Sequence, residues 1–191
     1  MKVPGATFAP VPYDGALSLR AVGSINLIVI HCTELPDMHM ARDYAERIHY
    51  PGTNTGNCGH LYVDRNGDVY QYASLDRVAH HVRGYNRESI GIELVNNGRY
   101  PHWFHSKSQT PTDPYPDAQV ESLTRLVGQL IRLLPGLGTI AGHDELDLER
   151  VNASDNPRIQ VRRKIDPGPL FPWPSIMEQL PHLSRWKSEP R

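Results

Sequence analysis

The chain has 191 residues, enough for one domain with a full hydrophobic core. Lys and Arg together number 20 against 21 Asp and Glu, a formal net charge of -1, so there is neither a basic field for nucleic acid nor an acidic tail. Two cysteines are too few for a disulfide scaffold or a thiolate zinc site, and no apolar run approaches a membrane span.

Residues 1–23 read as a Pro/Gly-rich extension over the surface, without the unbroken apolar core of a signal peptide. The first strong signal follows. Ile25 and Leu27 to Ile30 are apolar and mostly β-branched, which predicts a strand buried on both faces in the middle of an α/β sheet. It ends on His31, held rigidly at the sheet's edge. A lone histidine there is either a hydrogen-bonded core group or a metal ligand. Cys32 cannot form a dyad with it, because neighbours on a strand point to opposite faces. Cys32 and Cys58 are expected to be free thiols.

Pro36-Asp37 opens a helix whose apolar stripe is Ala41, Tyr44, Ala45 and Ile48. The polar stretch 51–57 is a loop, and Asn57 at its end either contacts a ligand or shapes the turn. Residues 60–63 and 69–72 flank Asn66-Gly67, whose positive φ angles predict a tight hairpin. Ser89 to Val95 form a further strand, with Ile90, Ile92 and Leu94 on one face and Glu93 on the other. A carboxylate there means either a solvated edge or a functional role.

Residues 99–116 carry four prolines among Tyr100, Trp103, Phe104 and Tyr115, and read as a functional wall or a self-packed flap. Asp117 is expected to cap the long helix, with Val120, Leu123, Val127, Leu130, Ile131 and Leu134 as its stripe and Pro135-Gly136 as its stop. Thr139 to Gly142 is a short strand ending on His143. The charged segment from Asp144 to Lys164 reads as loop. Lys164-Ile165-Asp166-Pro167-Gly168-Pro169 is a stiff turn that presents Asp166, and a last helix is expected from Pro174 to about Leu180.

Two histidines at strand ends and an aspartate on a rigid turn make a conceivable three-ligand catalytic zinc site. Taken together, Ile28-Val29-Ile30-His31-Cys32-Thr33, Ser89-Ile90-Gly91-Ile92-Glu93-Leu94, Ile140-Ala141-Gly142-His143 and the Lys164–Pro169 turn resemble the type 2 zinc-dependent N-acetylmuramoyl-L-alanine amidases. That family includes T7-type lysozyme and the peptidoglycan recognition proteins, and the likeness is closest to the branch that recycles anhydro-muropeptides. It covers residues 24–180, leaving 181–191 as a C-terminal tail.

The resemblance implies a mixed central sheet flanked by helices, with zinc at one end of the strands. It makes His31, His143 and Asp166 the metal ligands, Glu93 the acid/base and Lys164 the group facing the substrate carbonyl. The implied reaction is hydrolysis of the amide between the lactyl group of N-acetylmuramic acid and L-alanine, in peptidoglycan fragments or anhydro-muropeptides. His81 is a substrate-contacting or ligand-supporting group. One departure stands out: Gly59 occupies a position where some members carry a tyrosine. The expected location is the cytoplasm, although a phage lysin or a trimmed periplasmic enzyme would read the same. The alternatives are a recognition module that binds peptidoglycan without cutting it, and a zinc carboxypeptidase using Arg83, Arg87 or Arg99.

Overall fold

The β-branched run after Ile25 does become the middle of a sheet. The computed structural model describes residues 1–187. In chain order it contains β1 (Thr7–Phe8), β2 (Leu27–Cys32), α1 (Met38–Glu46), β3 (Leu61–Val63), β4 (Val69–Gln71), β5 (Ser89–Leu94) and α2 (Asp117–Leu133). There follow β6 (Thr139–Gly142), α3 (His143–Leu146), β7 (Arg150–Asn152), β8 (Gln160–Arg162), α4 (Trp173–Gln179) and β9 (Ser184–Arg185).

Seven strands form one mixed sheet in the order β1-β4-β3-β5-β2-β6-β9, and β7 and β8 make a separate hairpin. All six residues of β2 are buried, as expected for a strand covered on both faces. On one face Ile28, Ile30, Ile90 and Ile92 meet Leu123, Val127 and Leu130 of α2 and Ile176 of α4. On the other, Tyr62 and Tyr72 meet Ala41 and Ala45 of α1. Each such leucine or isoleucine contributes roughly 1.5–3 kcal/mol on burial. Packing of these rows, more than helix propensity, therefore fixes α2 against the sheet. The α/β class and the helices on both faces agree with expectation. Among the described residues, no helix is long and apolar enough to cross a membrane.

β5, β2 and β6 run parallel, so their C-terminal ends share one edge of the sheet. The register sets His31 beside Glu93 and Ile30 beside Gly142, which brings His143 level with His31.

Several local expectations need correction. Residues 1–23 do not simply lie over the surface: β1 adds to β4, and Val3, Val11, Tyr13 and Leu17 are buried. The α1 stripe narrows to Ala41 and Ala45: Tyr44 is exposed within the helix, and Ile48 lies past its end at Glu46 and is exposed too. Asp117 is the first helical residue of α2, and Pro116 holds the cap position. Its charge still favours that end through the helix dipole. In the hairpin only Gly67 has a positive φ, +89°, and Asp64 bonds Asp68 around a three-residue loop. The 144–164 segment is not plain loop, since it holds α3 and the β7–β8 hairpin. Cys32 and Cys58 are free and buried, with Cys58 in the cluster on the α1 side and Cys32 bonded to Asn96. At the C-terminus Leu183 is buried and β9 pairs with β6, and residues 188–191 of the expected tail lie outside the described residues.

Candidate metal centre

His31 is the penultimate residue of β2, His143 opens α3 directly after β6, and Asp166 follows the β7–β8 hairpin. All three are buried, at 2%, 3% and 3% exposure. His31 Nδ1 lies 3.0 Å from His143 Nδ1 and 3.1 Å from Asp166 Oδ2, and His143 Nδ1 lies 3.0 Å from the same oxygen. Ligand atoms around a tetrahedral zinc with bonds of about 2.0 Å stand about 3.3 Å apart. The triangle therefore fits such an ion with little adjustment. Asp166 Oδ1 is buried with no hydrogen-bond partner among the described residues, a demand that a cation would satisfy. The N, N, O donor set suits zinc and keeps a position free.

The hydrogen bonds around His31 select which nitrogen faces this cradle. Ser89 donates its hydroxyl proton to the Tyr85 carbonyl at 2.7 Å, so its oxygen accepts from His81 Nε2 at 3.1 Å. His81 Nδ1 is then bare and accepts from His31 Nε2 at 3.0 Å. That leaves the lone pair of His31 Nδ1 pointing at His143 and Asp166. Burial, and then His143, draw the His31 pKa down to about 4, so the ring is neutral near pH 7. For Asp166, burial acts upward, but the attraction of His143 and Lys164 outweighs it and holds the carboxyl well below its usual range.

Glu93 stands across from His31 with Oε1 4.0 Å from Nδ1, and its side chain keeps 16% exposure. Burial and then the Asp166 charge push its pKa up to about 8, while Lys164 opposes the shift. The Lys164 charge thus lowers both carboxyls. β5 lies in the middle of the sheet, so the solvated-edge explanation of Glu93 is excluded.

Two glycines make room for these groups. A Cβ on Gly91 would sit 2.6 Å from the His81 ring, and one on Gly59 would sit 2.8 Å from Glu93 Cγ. The Gly59 departure is thus a matter of space, since any larger residue there displaces Glu93.

Of the remaining candidates, His81 touches His31, and Asn57 makes no hydrogen bond to the cluster among the described residues. Asn57 instead accepts from the Tyr50 hydroxyl at 2.8 Å. Ser89 and Asp147 escaped the sequence reading. Asp147 Oδ2 lies 4.0 Å from His143 Nε2 and is itself paired with Arg163. Its spacing of four from His143 was the available signal, hidden because the segment read as loop.

The sequence model described as N-acetylmuramoyl-L-alanine amidase matches residues 21–169. The 1,6-anhydro-N-acetylmuramyl-L-alanine amidase AmpD of Enterobacter cloacae is 34% identical over 120 residues, covering 58% of this chain and 50% of that protein. AmpD of Citrobacter freundii is 27% identical over 169 residues, 78% of this chain and 76% of that one. The chain thus spans about half the length of the first of these relatives and three quarters of the second. A solved structure of a selenomethionine AmpD derivative shares the fold with a TM-score of 0.66 at 23% identity, over 93% of this chain and 96% of that one. AmiD of E. coli, solved with anhydro-N-acetylmuramic acid-L-Ala-D-gamma-Glu-L-Lys, aligns with a TM-score of 0.62 at 22% identity, over 83% and 58%.

Proposed function

Because the chain belongs to the N-acetylmuramoyl-L-alanine amidase family, we propose that it hydrolyses the amide bond between the lactyl group of N-acetylmuramic acid and L-alanine. The substrate class is muropeptides, foremost those with a 1,6-anhydro sugar. The cofactor in this reading is zinc, held by His31, His143 and Asp166. The observation that carries it is the buried triangle of two imidazole nitrogens and one carboxylate oxygen, 3.0 to 3.1 Å on each edge. Bound zinc supplies Lewis acidity, polarising a carbonyl and making water nucleophilic near neutral pH.

The chain's own groups do the rest. Glu93 takes a proton from the attacking water and returns it to the leaving nitrogen. The water oxygen bonds to the lactyl carbonyl carbon, the C–N bond breaks, and L-alanine departs with a free amine. Burial and Asp166 raise the Glu93 pKa to about 8, against the lowering pull of Lys164. The balance suits a group that must both accept and release a proton near neutrality. Lys164 faces the charge that builds on the carbonyl oxygen, a contribution of roughly 3–4 kcal/mol for one well-aimed donor.

A carboxypeptidase would need a free cation for the substrate's terminal carboxylate. Arg99 is consumed by Glu34 and Arg83 pairs with Glu149 at 2.7 Å, which leaves the exposed Arg87 as the remaining one of the three arginines for that role. A recognition module without cleavage would leave Glu93 without a task. The 1,6-anhydro substrates of the AmpD relatives favour recycling of soluble fragments, and with it work in the cytoplasm, which cell fractionation tests.

The deciding experiment is mass spectrometry of a purified anhydro-muropeptide after incubation with the zinc-loaded protein, with and without a chelator. The expected products are the anhydro sugar carrying lactate and a peptide beginning at L-alanine, lost with chelator and restored by zinc. Intact substrate from the zinc-loaded protein would overturn the reading.

A further inference from the structure

We propose that Arg99, locked to Glu34, is a positioning residue that holds the segment entering Lys164 and Asp166 against the strands carrying His31 and Glu93. The proposal rests on the roles given to those four residues above. Arg99 and Glu34 are buried, at 3% and 7% exposure. All five guanidinium N–H donors are engaged. Nε and Nη2 form a two-pronged pair with Glu34 at 2.7 and 2.9 Å. Nη1 donates to the Arg162 carbonyl at 2.9 Å and to Gln109 Oε1 at 3.2 Å, and Nη2 also donates to the Arg163 carbonyl at 3.2 Å.

Those two carbonyls belong to the residues immediately before Lys164. Glu34 lies just beyond His31 on the exit of β2, and Arg99 lies just beyond Glu93 on the exit of β5. One planar group therefore joins the three backbone segments that carry a metal ligand, the proton carrier and the Lys164–Asp166 turn. A lysine could supply the charge but not this fork.

Stability is a poor explanation for such a pair. Burying two charges costs about as much as their attraction returns, and an apolar pair of similar volume commonly does as well. Glu34 also holds a left-handed backbone angle, φ +50°, unusual for a residue with a side chain. The long loop wraps the pair: Trp103 Nε1 donates to the Glu34 carbonyl at 3.1 Å, and Gln109 donates to the carbonyls of Trp103 and His105. Residues 99–109 thus hold the Arg99–Glu34 pair in place.

The test uses the full chain with Arg99→Lys and the near-isosteric Glu34→Gln, each assayed well below its own melting temperature. Zinc affinity is read by competition with a chromophoric chelator, and turnover on an anhydro-muropeptide is resolved into kcat and KM. A positioning role predicts zinc binding weakened about 10- to 100-fold in Arg99→Lys. Its kcat should fall at least tenfold with KM within threefold, and Glu34→Gln should show the same pattern more weakly. Zinc affinity and kcat within twofold of wild type in either folded variant, whatever its melting temperature, would reduce the pair to a loop anchor and overturn the proposal. Zinc affinity needs no substrate. A wild-type protein that binds zinc and cleaves nothing would end the amidase reading and leave the brace to be judged on metal binding.

Discussion

The nitrogen that His31 turns toward Asp166 is chosen by an oxygen on Ser89. Because Ser89 spends its proton on the Tyr85 carbonyl, each ring between it and the cradle has one possible tautomer. Ser89→Ala removes the acceptor for His81 and frees both rings to reorient. Zinc affinity should drop about 10- to 100-fold, read by chelator competition. An unchanged affinity would mean that packing alone orients His31. Glu93→Gln should behave in the opposite way. Its zinc content stays at the wild-type level while turnover falls by about 10² to 10⁴, the share of a positioned proton carrier. A Glu93→Gln protein that still cleaves would remove that role.

Legibility in the sequence followed how each element is stabilised. β2, β5 and α2 were readable because apolar burial holds them, and burial leaves a periodic trace such as Ile90, Ile92 and Leu94. The β7–β8 hairpin was not readable. It holds one buried apolar residue, Val161, and its pairing rests on backbone bonds that any side chain permits. β1 was hidden for the same reason. At the site, His31, His143, Asp166, Glu93 and Lys164 stood on recognisable strands or on the Pro-Gly-Pro turn. Each motif is local, so each could be seen. Ser89, Asp147 and the Glu34–Arg99 pair act across distances of 8, 4 and 65 residues, through contacts that leave no mark on the residues between.

Across the whole molecule, buried neutral histidines tie stability to pH. His60 is fully buried: its Nδ1 accepts from the Gly91 amide at 3.1 Å, and its Nε2 lies 3.1 Å from the Arg77 carbonyl and 2.8 Å from Arg20 Nη2. Burial, and then the Arg20 guanidinium, lower its pKa to about 3, against about 6.5 in an unfolded chain. Between those values the unfolded chain takes up a proton that the fold refuses. Stability is therefore full above about pH 6.5 and falls on acidification by about 1.4 kcal/mol per unit for this group, down to about pH 3. In denaturant titrations the advantage of wild type over His60→Gln should shrink by about 2 kcal/mol between pH 7 and pH 5. A constant difference would show that His60 charges without cost.

The cradle also has a kinetic consequence. Its two histidines are 112 residues apart along the chain, and Asp166 is 135 from His31. Ligands that close together in sequence can trap an ion in a nascent chain and let it template folding, as in small zinc modules. Here the loops that must close are long, so their entropy is spent by sheet formation before three donors ever converge. Metal capture then comes at the end of refolding, and its arrival marks a chain whose β2, β5 and β6 are already aligned.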